Sequence, residues 1–136
     1  KMEIEGGSMT MTGQRCAAPL GTLEGDDLNF VQYYTIFPNL LLSLHPDYVL
    51  IHRIDRLATN QTRIICDWLF HPDAIAAPDF DPSSAIEFWN MTNEQDWSVS
   101  RLSQKGIASH AYRPGPYAEL ESMIAAWDQE YLRALG

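Results

Sequence analysis

Apolar and polar residues follow a strand-like pattern in the first half of the chain and a helix-like pattern in the second half. Residues 31–44, 48–57 and 63–71 are rich in aromatic and branched residues, and turn-forming sequences such as His45-Pro46-Asp47 separate them. Strands that follow one another through short turns pair in an antiparallel manner. This half of the chain therefore predicts an antiparallel sheet.

The segments around these strands are less regular. Loose alternation predicts one more short strand at residues 9–12, and the glycines, prolines and acidic pair of residues 13–29 predict a surface loop. Pro38 interrupts the apolar run of residues 31–44. Because proline lacks the N–H that a central strand needs, Pro38 indicates a β-bulge or an edge position.

Two helices are predicted in the second half. Asp81 is a suitable N-cap with Pro82 at the first helical position, and this helix runs toward Gly106. A last helix starts at Pro116 and carries an apolar stripe that we expect to be core: Leu120, Met123, Ile124, Trp127, Tyr131 and Leu135. Strands followed by packed helices predict one α+β domain, residues 1–136, with helices covering one face of the sheet.

Composition and charge exclude several classes of partner. The net charge is -9, and the nine Lys and Arg residues are scattered, whereas binding to a phosphate backbone needs clustered cations. No apolar run approaches the roughly 20 residues of a membrane span, and Lys1-Met2-Glu3-Ile4-Glu5 lacks the apolar core of a signal peptide. We therefore expect a cytoplasmic protein that binds neither nucleic acid nor a membrane.

One carboxylate stands out within the first predicted helix. Trp89, Asn93, Asp96 and Ser100 share one stripe, at spacings of four, three and four residues. A carboxylate on an inward-facing stripe is costly unless it is paired, hydrogen-bonded or bound to a metal, so Asp96 is a candidate functional residue. The alternative is that this face is solvated and that Trp97 packs on the other side of the helix.

The residues that usually accompany a metal-binding carboxylate are not paired along the chain. Cys16 and Cys66 are isolated, with no Cys-x-x-Cys or Cys-x-His motif, and we interpret them as free packing thiols. No two histidines lie three or four residues apart, and His45 and His71 each precede a proline, which indicates turn or rim residues. No phosphate-binding glycine loop or nucleophile elbow is present, so we assign no catalytic residue.

Three segments carry a resemblance to a known family. Residues 37–48 (FPNLLLSLHPDY), 92–97 (TNEQDW) and 111–117 (AYRPGPY) are similar to the C-terminal part of the catalytic domain of Rieske non-haem iron oxygenase α subunits. The resemblance is greatest to the choline monooxygenase-like and betaine-demethylating branch, alongside the ring-hydroxylating enzymes. It implies a helix-grip fold of the START/Bet v 1 type, in which a curved antiparallel sheet packs against a long C-terminal helix. The fold could be incomplete in this chain.

The resemblance also implies site residues and cofactors. Asp96 corresponds to the carboxylate ligand of a mononuclear Fe(II), and Phe37, Asn39, Trp89 and Asn93 correspond to positions near the substrate pocket. The motifs that bind the [2Fe-2S] cluster and the iron-binding histidine pair lie upstream of this segment in the family, so the ligand set here is incomplete. Ser100-Arg101 stands where members of this branch often have Cys-Glu.

The expected function follows from the resemblance. We expect this chain to be the C-terminal catalytic-domain portion of a monooxygenase or dioxygenase that uses O2 to hydroxylate or demethylate a small aromatic or quaternary-ammonium substrate. Implied partners are a reductase or ferredoxin electron donor and further copies of the same chain. We expect the isolated chain to be inactive and to bind no iron tightly. Two alternatives are a stand-alone helix-grip binding module without redox activity and a fragment whose exposed sheet edge is covered by self-association.

Overall fold

The computed structural model describes residues 2–4 and 7–136. Lys1 and Glu5, part of the segment used above to exclude a signal peptide, lie outside the described residues. The described elements are β1 (Met2–Glu3), β2 (Phe30–Ile36), β3 (Leu40–Leu44), β4 (Val49–Ala58), β5 (Gln61–Leu69), α1 (Pro72–Ile75), α2 (Ser83–Ile107) and α3 (Ser122–Leu135), with 3-10 turns at Gly25–Asn29 and Glu119–Glu121.

The sheet is antiparallel throughout and its strands follow chain order, β1-β2-β3-β4-β5. Two tight hairpins fix the register. Ile36 pairs with Leu40 across the first hairpin, and Ala58 pairs with Gln61 across the second. The predicted α+β class and antiparallel pairing are confirmed.

Two sequence predictions in this half of the chain are wrong. Pro38 lies in the turn between β2 and β3 rather than at a bulge or an edge, because the apolar run is two strands of a hairpin. Residues 9–12 form turns, and the first strand is β1 instead, where Met2 pairs with Val31.

The start of α2 agrees with the sequence prediction. The carboxylate Oδ1 of Asp81 accepts a hydrogen bond from the backbone N–H of Ser83 at 2.9 Å, which lowers the pKa of Asp81. Pro82 lies just before the helix, and its carbonyl accepts from Ala85 and Ile86. This cap satisfies a backbone N–H at the start of α2.

The chain divides into two compact units, Lys1–Val99 and Ser100–Gly136. In the second unit, α3 begins at Ser122, six residues after the predicted start at Pro116. The apolar stripe predicted as core is exposed along most of its length; Leu120 is 98% exposed and Met123 is 70% exposed. The second unit alone has too little chain to enclose this stripe. The long helix with buried residues is α2.

The core of the first unit consists of Tyr48, Leu50, Ala85 and Trp89. Trp89 Nε1 donates a hydrogen bond to the Tyr48 hydroxyl at 2.7 Å, and that hydroxyl donates to the Met9 carbonyl at 2.7 Å. The same hydroxyl therefore ties α2 to the sheet and to the loop before β2. Both polar side chains keep hydrogen-bond partners inside the core, which burial requires.

A buried carboxylate holds the same loop. Asp47 is fully buried, and its two oxygens accept hydrogen bonds from the Ser8 hydroxyl at 2.5 Å and from the backbone N–H of Cys16 at 2.7 Å. Charge-assisted bonds of this kind are stronger than neutral ones. Asp47 thus connects the β3–β4 turn to residues 8–16.

His45 lies at the predicted turn after β3, but it is buried in the core rather than at the rim. It is 2% exposed, and its ring stacks on Tyr48 with the ring centroids 4.1 Å apart. Neither ring nitrogen has a hydrogen-bond partner within the described part of the chain. Burial lowers the pKa of His45 from 6.5 to about 3.

This buried imidazole predicts a fold that weakens in mild acid. Between about pH 6.5 and pH 3 the unfolded chain binds a proton at His45 that the folded chain does not, so the free energy of unfolding falls with falling pH. His45→Phe keeps a ring against Tyr48 and removes the titration. The denaturant midpoint should fall between pH 7 and pH 5 in the wild type and less in His45→Phe. If the denaturant midpoint fell equally with pH in the wild type and in His45→Phe, the assignment of this pH dependence to His45 would be wrong.

None of the helices in the described residues combines the length and hydropathy that a membrane span requires.

Candidate functional site

A groove of about 310 Å³ lies between α2 and the sheet within the first unit. We call it the α2 groove. Strands β2 to β5 supply one wall and α2 supplies the other. Its lining residues are Tyr33, Tyr34, Thr35, Leu41, Leu42, Ser43, His52, Ile54, Ile64, Trp89, Asn93, Asp96 and Trp97.

The predicted stripe of α2 faces this groove. Trp89 is 7% exposed and Asn93 is 5% exposed, so this part of the stripe packs on the sheet. Asp96 also lines the groove and is exposed to solvent, and Ser100 is exposed. The spacings of four and three residues therefore place Trp89, Asn93 and Asp96 along one cavity, with the carboxylate at its hydrated part.

Asn93 joins the two walls of the groove. Its Oδ1 lies 3.1 Å from Nε2 of His52 on β4, and its Nδ2 donates to the sulfur of Cys66 on β5 at 3.6 Å. His52 and Cys66 are direct partners in the β4–β5 register, so both side chains point to the same face. Burial raises the pKa of the Cys66 thiol, which therefore stays neutral.

Two predicted substrate-pocket residues lie away from the groove. Phe37 and Asn39 occupy the turn between β2 and β3, not the strand on which they were expected, and neither is among the lining residues. The Asn39 carbonyl accepts a hydrogen bond from the N–H of Ile54 at 2.9 Å, which secures the turn to β4. The structure thus brings together Trp89, Asn93 and Asp96, while a substrate role for Phe37 and Asn39 stays a prediction.

Sequence reasoning missed His52 and Tyr33 as groove residues. His52 and Ile54 both line the groove because alternate residues of a strand share a face, and that period was visible in the sequence. The sequence did not show which residue of α2 would lie opposite His52. The partner of His52 is Asn93, which lies 41 residues away.

No cluster of three or more His, Cys, Asp or Glu side chains suited to a metal occurs among residues 2–4 and 7–136. His45 is enclosed in the core, and His52 is bonded to Asn93. Nδ1 of His71 accepts a hydrogen bond from the backbone N–H of Asp73 at 3.2 Å and so caps α1. His110 is exposed in the second unit. Asp96 is thus one carboxylate donor without a neighbouring imidazole pair among the described residues.

A second, larger depression of about 580 Å³ lies elsewhere in the first unit. Its walls are the loop around Cys16 and Pro19 and the segment from His71 to Phe80. None of the predicted site residues lines it, so the α2 groove is the better candidate for the functional site.

The chain is similar to known proteins over most of its length. The chain matches the family described as ring hydroxylating alpha subunit (catalytic domain) over residues 2–136. Glycine betaine monooxygenase oxygenase subunits from two strains of Pseudomonas aeruginosa are 31% identical over 113 residues, 82% of this chain and 26% of the relative. The subunit of the same name from Chromohalobacter salexigens is 34% identical over 112 residues, 82% of this chain and 25% of the relative. The chain therefore spans about a quarter of the length of these curated relatives.

Proposed function

The chain belongs to the ring-hydroxylating α-subunit family, within its catalytic domain, and we propose on this basis that it forms the C-terminal part of a Rieske-type oxygenase. In this proposal the α2 groove binds a small substrate that the intact enzyme hydroxylates or demethylates with O2. The observation that carries the proposal is the alignment of Trp89, Asn93 and Asp96 along one cavity. A stand-alone binding module is not favoured, because the matching family consists of oxygenase subunits.

Among the two expected substrate classes, we propose the quaternary-ammonium one. The relatives from both organisms are named for glycine betaine. The groove has matching chemistry: Tyr33, Tyr34 and Trp97 offer aromatic faces, and Asp96 offers a carboxylate. Aromatic faces and a carboxylate together attract a cation that cannot donate hydrogen bonds.

We propose Asp96 as a ligand of the mononuclear non-haem iron that the family implies in a full-length protein; the attraction of Asp96 for a cation described above applies to the iron-free chain. A facial triad needs two imidazoles beside the carboxylate. The donors of the described residues do not fit a complete iron site, since no histidine pair accompanies Asp96 in a cluster. The remaining ligands are expected in other parts of a full-length protein, as is any [2Fe-2S] cluster. The iron would supply the activation of O2, and the residues of this chain would bind and orient the substrate.

The remaining partners are proposals of the same kind. Members of this family take electrons from a reductase or ferredoxin, and we propose the same source here. Self-association into a homo-oligomer and a cytoplasmic location also remain our proposals.

Binding of tetramethylammonium, a cation with no other polar group, tests the quaternary-ammonium proposal. Removing a carboxylate a few ångströms from a bound cation in a hydrated site costs about 1 kcal/mol, or about a fivefold loss of affinity. We expect that loss for Asp96→Asn in a calorimetric titration. Asp67→Asn is the matched control, because Asp67 is an exposed β5 residue that does not line the groove. Absence of binding, or equal loss in both variants, would refute the proposal.

A further inference from the structure

The buried amide of Asn93 determines what the groove can offer a ligand. Asn93 is 5% exposed, and both ends of its amide are engaged, with Oδ1 toward His52 and Nδ2 toward Cys66. In this arrangement the amide nitrogen of Asn93 donates to the sulfur of Cys66, and the amide oxygen faces Nε2 of His52. Asn93 is therefore a positioning residue rather than a direct substrate contact.

The orientation of Asn93 also selects the tautomer of His52. Because Asn93 Oδ1 can only accept, Nε2 of His52 must carry the proton in the 3.1 Å contact. In the neutral imidazole the other nitrogen, Nδ1, is then an acceptor. The ring of Trp89 meets the His52 ring edge-on, with the centroids 6.0 Å apart, and limits its rotation.

The two tyrosine hydroxyls of the groove are less available for a ligand. The Tyr33 hydroxyl donates to the Met9 sulfur at 3.1 Å, and the Tyr34 hydroxyl donates to Gln32 Oε1 at 2.8 Å. The lining residues in the described structure include no Lys or Arg, and Asp96 is their charged member. A carboxylate on the ligand would therefore meet no cationic side chain here, whereas a hydroxyl or N–H donor would meet His52.

We propose that His52 is a specificity-determining residue of the α2 groove, held by Asn93, whose Nδ1 accepts a hydrogen bond from an O–H or N–H group of a small organic cation. This inference rests on the proposed function, since it concerns the polar end of a substrate whose cationic end lies by Asp96. It also differs from the substrate named for the relatives, because glycine betaine carries a carboxylate and no donor.

Three probes that share one trimethylammonium end test the proposal on the full chain. Tetramethylammonium has no polar tail, choline adds a hydroxyl donor, and glycine betaine adds a carboxylate. One hydrogen bond of ordinary net strength gives choline an affinity advantage of about fivefold over tetramethylammonium in calorimetric titrations. We expect glycine betaine to bind more weakly than choline.

Variants separate this hydrogen bond from general damage to the groove. His52→Phe keeps a ring beside Trp89 and lacks any acceptor, so the choline advantage should vanish while tetramethylammonium still binds. Asn93→Leu should lower the same ratio, and the double variant should lower it no further, because both residues act through one bond. His110→Gln, in the exposed loop of the second unit, is the control and should keep the wild-type ratio.

Nitrogen-15 NMR of labelled histidine gives an independent readout. The free chain should show His52 protonated at Nε2, and choline should shift the Nδ1 resonance, whereas tetramethylammonium should not. Tetramethylammonium binding with no choline advantage, or with an advantage that survives His52→Phe, would overturn this inference and leave the proposed function intact. Failure of all three probes to bind would overturn both.

Discussion

Replacing Trp89 with alanine should lower the free energy of unfolding by about 3–5 kcal/mol, the range for truncating a large buried aromatic residue. Trp89 packs in the core with Tyr48 and Ala85 and meets the rings of His45, His52 and Phe88. Its removal leaves a cavity between α2 and the sheet and also leaves the Tyr48 hydroxyl without its donor. Urea denaturation followed by circular dichroism measures the change.

Two further variants show which part of the loss is packing. Trp89→Phe keeps an aromatic ring but removes the indole N–H and part of the ring volume, so it should cost about 2 kcal/mol, less than Trp89→Ala. Trp97→Ala, on the same helix and only partly buried, should cost about 1 kcal/mol or less. If Trp97→Ala destabilised the chain as much as Trp89→Ala, the placement of the core beneath α2 would be wrong.

Replacing Asp47 with alanine should lower the free energy of unfolding by about 3 kcal/mol. The substitution leaves the Ser8 hydroxyl and the Cys16 N–H without their acceptor, and each buried unpaired donor costs about 1–3 kcal/mol. Because these bonds hold residues 8–16 against the sheet, proteolysis within that loop should also become faster. The same denaturation experiment, with a limited-proteolysis time course, measures both effects.

Asp55 provides the matched control for Asp47. Asp55 forms ion pairs with Arg53 at 3.4 Å and with Arg63 at 2.9 Å, and both arginine side chains are largely exposed. Ion pairs of this type contribute about 0–1 kcal/mol, so Asp55→Ala should be nearly neutral. Equal losses for Asp47→Ala and Asp55→Ala would contradict the account of Asp47 as a buried anchor.

The sequence predicted the parts of the fold that depend on local signals. The turn at His45-Pro46-Asp47 and the Asp81 cap followed from local sequence and agree with the structure. Pro38 was misplaced because a proline in an apolar run is compatible with a bulge, an edge or a turn, and only strand pairing distinguishes these. The stripe of α3 was assigned to the core because amphipathicity shows which face is apolar but not what covers it.

Some candidate site residues could be predicted from local sequence, and others depended on long-range contacts. Helical period placed Trp89, Asn93 and Asp96 on one face, and the structure brings all three to the α2 groove. A histidine before a proline correctly suggested the turn at His45, but its burial depends on Trp89, which is distant in sequence. His52 could be recognised as a site residue only from its contact with Asn93. Long-range contacts of this kind leave no local signature.

The proposed role of Asp96 is the central claim, and iron content tests it most directly. Iron should be measured in the chain alone and in a chimera in which this chain replaces the matching part of the Pseudomonas aeruginosa relative. The account predicts no tight iron binding by the chain alone, stoichiometric iron in the chimera, and loss of that iron in the folded Asp96→Ala chimera. Undiminished iron in the Asp96→Ala chimera, or tight stoichiometric iron in the chain alone, would contradict it.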